Sequence, residues 1–296
     1  MILKPIGLNE KKLIERYLKK THFSSGAYSF AYIYIWKSFF KFSYLKENNC
    51  LCVFAKDGNG MFMYFAPLTK RITKKAIDKC FAVMSRYNKN DSLSRIENIP
   101  EEYLGSFVKF GYRSYPTFND YVYKRVDLVN LCGNRFKHKR STVNYFIRNN
   151  KFQFINYKSF YYGQCIELYK EWQDERAAKY SDEVYRDMLK QSFSAFCVAL
   201  ANYKKLGLEI RLVIVDNKVK GCTVGNALDK ETFCIMFEIA DLNFKGLAQF
   251  IFMAFCKQMN KFNYINTMDD SGLANLAQVK LSYRPFKITK IFNIVK

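Results

Sequence analysis

Residues 208–261 read LEIRLVIVDNKVKGCTVGNALDKETFCIMFEIADLNFKGLAQFIFMAFCKQMNK. Three apolar runs, Leu208–Val215, Lys218–Leu228 and Thr232–Ile239, are separated only by Asp216-Asn217 and Asp229-Lys230. Apolar runs of strand length joined by tight polar turns read as an antiparallel meander. From about Phe244 to Lys261 the apolar residues take a helical period, and Phe262–Thr267 returns to a strand-like run. The meander therefore leads into a βαβ crossover.

Working outward, a strand at 152–156 is followed by helices at about 159–175 and 182–205. Beyond the crossover a short helix covers about Leu273–Lys280, and a last strand follows Pro285. From the two helices onward the order is α, α, β, β, β, α, β, α, β, which resembles the GNAT acyltransferase fold. In that layout the strand before the long helix splays from its neighbour to form the acyl-donor slot. Donor phosphates then rest on backbone N–H groups at the helix N-terminus, where the dipole favours anions. Coenzyme A users mark the turn with Q/R-x-x-G-x-G/A. Here Asn243 to Gln249 reads NFKGLAQ, with one glycine, which leaves room for a donor that arrives on something else. Glu238 and Asp241 end the strand where the reactive acyl group would lie. They suit the ammonium of an aminoacyl donor; for Glu238, pairing with a nearby lysine is the plainer alternative. Asp269-Asp270-Ser271-Gly272 sits at a strand-to-helix turn. Helix capping explains one of its acids, and the adjacent second acid calls for a cation.

The first half alternates a hairpin with helices and strands. Asn9 opens an amphipathic helix through Leu18, Ser29–Phe40 reads as an apolar helix, and Cys50–Ala55 and Met61–Ala66 flank the turn Asp57-Gly58-Asn59-Gly60. A helix at about Thr73–Tyr87, a strand near Arg95–Ile99, a helix from Pro100 to Gly111 and a strand at Tyr121–Val126 follow. At 133–150, Phe136, Val143, Phe146 and Ile147 share one helical face and basic residues cover much of the rest. This basic amphipathic helix is either a solvated connector or a phosphate-tracking surface. The expected domains are 1–132 and 133–296, the basic helix opening the second. The expected fold class is α+β/α/β, two GNAT-like halves that are each a mixed, mostly antiparallel sheet flanked by helices.

Composition limits the partners. Net charge is +22 in 296 residues; residues 1–148 hold 27 basic and 11 acidic side chains, and no acid occurs between Leu128 and Tyr162. A polyanion such as RNA or an anionic membrane surface is the matching partner, although a lysine-rich genome would also raise the basic count. Nine scattered cysteines without a CxxC indicate buried thiols in a reducing compartment, not a disulfide frame or zinc site. Two histidines, His22 and His138, are too few for a metal enzyme or a Ser-His-Asp hydrolase. No metal is expected. The most apolar stretch, Ala27–Trp36, is short of the roughly 20 residues that span a bilayer. With no signal peptide evident, a cytoplasmic protein is expected, peripheral at a membrane at most.

Residues 269–285 read DDSGLANLAQVKLSYRP. This segment resembles E-D-L-G-x-x-G-L-R-x-x-K-x-S-Y-x-P of the phosphatidylglycerol lysyltransferase C-terminal family. Asp270, Gly272, Leu276, Lys280, Ser282, Tyr283 and Pro285 match, while Ser271, Asn275 and Ala277 depart from the leucine, second glycine and arginine. Tyr28-Ser29-Phe30 with Ile35-Trp36 is similar to the family's Y-S-F-x(4)-I-W. Gly133–Asn144 resembles G-K-K-Y-H-K-K-R-N-H-I-N, keeping Gly133, Lys139, Arg140 and Asn144. Phe237–Asp241 with Gly246 and Gln249 resembles I-E-K-A-D followed by R-G-x-Y-Q. The resemblance implies two GNAT-like halves related to the Fem aminoacyltransferases. It further implies transfer of an amino acid from aminoacyl-tRNA to phosphatidylglycerol or another hydroxyl or amine acceptor, with no other cofactor. Glu238 and Asp270 would hold the donor's ammonium, helped by Asp241 and Asp269. Lys280, Tyr283 and Arg284 would face the ester or phosphate. Lys139, Arg140 and Asn144 would guide the tRNA acceptor end, and Gly246 would shape the donor turn. Two alternatives stand beside it: an acetyl-coenzyme A-dependent N-acyltransferase, and a non-catalytic RNA- or membrane-binding module.

Overall fold

A computed structural model describes residues 2–21, 25–179 and 183–296 of the chain; His22 lies outside the described residues. In chain order the first elements are β1 (Lys4–Pro5), α1 (Lys11–Leu18), α2 (Phe30–Ile35), β2 (Lys41–Glu47), β3 (Cys50–Lys56), β4 (Met61–Met63) and α3 (Lys74–Ser85). Next come β5 (Ile96–Pro100), α4 (Leu104–Lys109), β6 (Arg113–Lys124), α5 (Arg125–Asn130), α6 (Lys137–Asn149), β7 (Phe152–Asn156), α7 (Tyr162–Lys179) and α8 (Glu183–Leu206). The last are β8 (Glu209–Val215), β9 (Lys218–Ala227), β10 (Thr232–Ala240), α9 (Leu247–Gln258), β11 (Tyr264–Asn266), α10 (Ala274–Leu281) and β12 (Lys287–Val295).

The chain forms two compact units: Met1–Tyr121 with Met268–Lys280 and Lys287–Lys296, and Val122–Thr267 with Leu281–Phe286. These do not follow the single cut at 132/133 that the sequence suggested. The reason is strand pairing. β12, from the chain's end, pairs antiparallel with β5 (Phe292 opposite Ile99), and β6 gives its last three residues, Val122–Lys124, to β11 in the second unit.

In the first unit the strand order is β1-β2-β3-β4-β5-β12. The contacts are antiparallel except at β4–β5, where Met63 lies opposite Ile96 in parallel register. The predicted hairpin is present, with Asp57 Oδ1 accepting the amides of Asn59 and Gly60 at 2.8 and 3.0 Å. Strand β2 was missed despite its alternation, in which Phe42 and Tyr44 point inward. The apolar helix expected over 29–40 is shorter: α2 ends at Ile35 and passes into a 3-10 turn at Trp36–Ser38. Ser29 caps it, accepting the Tyr32 amide at 3.4 Å. Strand β6 starts at Arg113, well before the expected Tyr121; residues 113–119 are largely exposed, Tyr115 and Phe118 included, so no buried apolar face marks the stretch in sequence. Val126, read as strand, falls in α5.

In the second unit the order is β11-β10-β9-β8-β7. The meander β8-β9-β10 is antiparallel, and β10–β11 is parallel, as a βαβ crossover requires. Helix α9 buries Leu247, Phe250, Ile251, Phe252, Ala254, Phe255 and Cys256, so it is a core helix with little exposed face. The basic helix α6 docks on it. Phe136, Val143 and Phe146 are buried as expected, but Ile147 is 43% exposed, which narrows the apolar stripe. The Phe146 ring lies 5.1 Å from both Phe152 and Phe250. Such contacts add about 0.5–1.5 kcal/mol per pair beyond area burial.

Candidate active site

β10 supplies the centre of the site in the second unit. Its parallel pairing with β11 runs from Thr232 opposite Tyr264 to Cys234 opposite Asn266. β10 then continues to Ala240 along β9, with a bulge between Ile235 and Phe237. The parallel pairing ends at Cys234, where β11 itself ends at Asn266, and β10 runs on along β9. Glu238, half-buried, lies on the stretch of β10 beyond that pairing.

Around Glu238 the chain gathers residues from distant segments. Lys139 comes from α6, and its Nζ sits 4.0 Å from the centre of the Tyr283 ring. Phe252 of α9 meets the same ring at 4.8 Å, tilted by 66°. Burial pushes the Lys139 ammonium below its usual range, and the neighbouring Glu238 carboxylate opposes that shift. Tyr283 is 8% exposed, and burial, then the Glu238 charge, hold its phenol well above its ordinary value. The phenol therefore stays protonated and keeps a hydrogen to donate. A carboxylate, a partly desolvated ammonium and a protonated phenol are thus placed together. They can bind a cationic amine and stabilise a developing oxyanion.

The flanking residues have structural partners. Asp241 accepts from Lys220 Nζ at 2.8 Å and from the Asn243 backbone and side-chain amides at 2.9 and 3.0 Å. Burial raises its pKa, but these donors outweigh that and hold the carboxyl below its ordinary value. Gly246 has φ +89°, and a Cβ there would overlap the Thr142 carbonyl oxygen. This glycine allows α6 to pack onto the start of α9. Arg140 donates to the carbonyls of Leu131 and Gly133, which ties its guanidinium to the turn before α6. Asn144 is exposed on α6. Arg284 is exposed with φ 54° in the segment that carries Tyr283.

Asp269, Asp270 and Lys280 belong to the first unit, so Asp270 and Glu238, expected to share one ammonium, fall in different units. Asp270 is 6% exposed and accepts from Tyr121 Oη at 2.6 Å and from the Gly272 amide at 3.1 Å. Asp269 Oδ1 accepts the Ser271 amide at 2.8 Å. Each acid therefore shapes the turn locally, where Met268, Ser271 and Gly272 all take positive φ. Lys280, 9% exposed, donates to the Met268 carbonyl at 3.2 Å and lies 5.6 Å from the Tyr121 ring centre. The Tyr121 phenol is pushed up to about 12, first by burial and then by its bond to Asp270. Tyr121 was read only as the start of a strand. No sequence signal links it to Asp270, 149 positions away.

The phosphatidylglycerol lysyltransferase C-terminal family matches residues 19–294. The chain belongs to that family. Three solved structures show the fold. A conserved protein of unknown function from Bacteroides thetaiotaomicron VPI-5482 is 22% identical, with all of both chains covered and a TM-score of 0.87. L-PGS from Bacillus licheniformis is 12% identical over 96% of this chain and 90% of that one, with a TM-score of 0.66. FemX is 8% identical over 99% and 97%, with a TM-score of 0.62. The tandem GNAT-like α+β fold is shared with these proteins. No curated protein matches the chain in sequence. Among the described residues no helix is long and apolar enough to cross a membrane.

Proposed function

We propose that this family member transfers an aminoacyl group from aminoacyl-tRNA to a hydroxyl or amine acceptor, with phosphatidylglycerol the first acceptor to test. The observation that carries the reading is the grouping of Lys139 and Tyr283 with Glu238, which lies on β10 beyond its pairing with β11. Glu238 holds the donor's α-ammonium. The acceptor oxygen or nitrogen attacks the ester carbonyl, and charge develops on the carbonyl oxygen. Tyr283 and Lys139 stabilise that oxyanion. The bond to the ribose oxygen then breaks, and the proton lost by the acceptor ends on the ribose hydroxyl. No covalent enzyme intermediate is needed, so positioning and electrostatics carry the rate.

Family membership and the single glycine in the 243–249 turn favour this reading over coenzyme A. Packing at the start of α9 favours it too, because the Thr142 carbonyl presses on Gly246 and the Leu247 amide already donates to Phe244. The test is transfer from a mixed pool of radiolabelled aminoacyl-tRNAs to phosphatidylglycerol vesicles, read as label in the organic phase. Label in lipid supports the proposal with that acceptor. Transfer to a soluble amine alone moves the acceptor. Acetyl transfer from acetyl-coenzyme A without any aminoacyl transfer contradicts it.

A further inference from the structure

We propose that the first unit carries a binding site for a small phosphate ester, built from residues other than the catalytic ones named above and independent of the aminoacyl-transfer reading. A cavity of about 360 Å³ lies within that unit, lined by the end of α1, the loop between β4 and α3, and the α4 region. Lys20, Lys70, Arg71 and Lys109 surround it, and no carboxylate is among its lining residues. Some cations of the same unit are paired, Lys74 with Asp78, Lys79 with Glu47 and Arg95 with Glu97 among them. None of the cavity's four cations makes an ion pair among the described residues. Lys20 rests instead over the Tyr17 ring at 3.9 Å.

Four like charges around one concavity repel until an anion enters, and the walls concentrate their field inside it. Thr69 and Ser106 add hydroxyls beside the cations, and Ile72 and Phe110 add an apolar wall. Cations and hydroxyls lining one concavity suit the oxygens of a phosphate group. The apolar wall suits a short carbon frame attached to it, and the volume lies in the range of small-ligand pockets. The shared chemistry is a phosphate on a polyol, presented either by a lipid headgroup or by a soluble ester.

The test is calorimetry of the full chain with sn-glycerol 3-phosphate, alongside flotation with vesicles of phosphatidylglycerol or phosphatidylcholine. The comparison variant carries Lys70→Ala and Arg71→Ala, both exposed, so its urea midpoint should match the parent. Removing two charge-assisted contacts should weaken binding at least about tenfold. Loss of both soluble-ester binding and phosphatidylglycerol flotation assigns the lipid source; loss of soluble binding alone assigns the free ester. Flotation that responds to the variant without soluble binding also assigns the lipid. The site is overturned if neither probe binds the parent chain, or if the variant binds as tightly. It is likewise overturned if only single-stranded RNA responds to the substitutions.

Discussion

The bond between Tyr121 and Asp270 joins strand β6 to the turn before α10 within the first unit, and its strength can be measured. Tyr121 is 2% exposed and Asp270 6% exposed, and their oxygens are 2.6 Å apart. A buried hydrogen bond to a charged acceptor contributes about 1.5–3 kcal/mol. Tyr121→Phe removes the donor and leaves Asp270 with the Gly272 amide. Asp270→Asn keeps one oxygen for two donors and turns an amide NH₂ toward one of them. Each single variant should therefore lose about 1.5–3 kcal/mol, and the double variant little more than either, for a coupling close to one single loss, about 1.5–3 kcal/mol. Urea unfolding followed by fluorescence and circular dichroism reads the four midpoints at constant slope. Strict additivity would refute the reasoning. So would an Asp270→Asn variant of undiminished stability.

Other consequences are as direct. Phe146→Ala removes the ring shared by Phe152 and Phe250 and should cost about 3–5 kcal/mol, with α6 amides losing protection in hydrogen exchange before those of α9. Asp241 has a folded pKa below its ordinary value, so its contribution is complete above the unfolded value and is lost as pH falls through the folded one. Stability measured from pH 5 down to pH 2 should drop less steeply for Asp241→Asn than for the parent (equal slopes would remove the acid from that role). Gly246→Ala should push α6 off the start of α9, because its Cβ meets the Thr142 carbonyl, and should lower the thermal midpoint by several degrees. An unchanged midpoint would show that the two helices part freely.

Much of the second unit was legible in sequence because its signals are local. The turns at Asp216-Asn217 and Asp229-Lys230 set the meander, and the period of 247–258 set the core helix. What was illegible depends on distance. β12 crosses to β5 because of a register fixed only in three dimensions. Strand residues 113–119 lack a buried apolar face and so lack a pattern. The same holds at the site. Glu238 was found as a strand-end acid and Tyr283 through the family motif. That Lys139 joins them over the Tyr283 ring follows from α6 docking on α9, which a motif 144 positions upstream of Tyr283 does not state. Arg140 shows the converse: its motif match carried an expected tRNA contact, whereas its guanidinium holds the carbonyls of its own turn.

The most direct test of the account is single-turnover transfer from one aminoacyl-tRNA, comparing the parent chain with Glu238→Gln. If Glu238 holds the donor's ammonium, losing its charge removes about 1.5–3 kcal/mol, or roughly 10- to 150-fold in transfer efficiency. An N-acetylated aminoacyl-tRNA, which has no ammonium, should be a poor donor for both proteins and should not tell them apart. Equal rates for the two proteins with the unmodified donor would contradict the central claim.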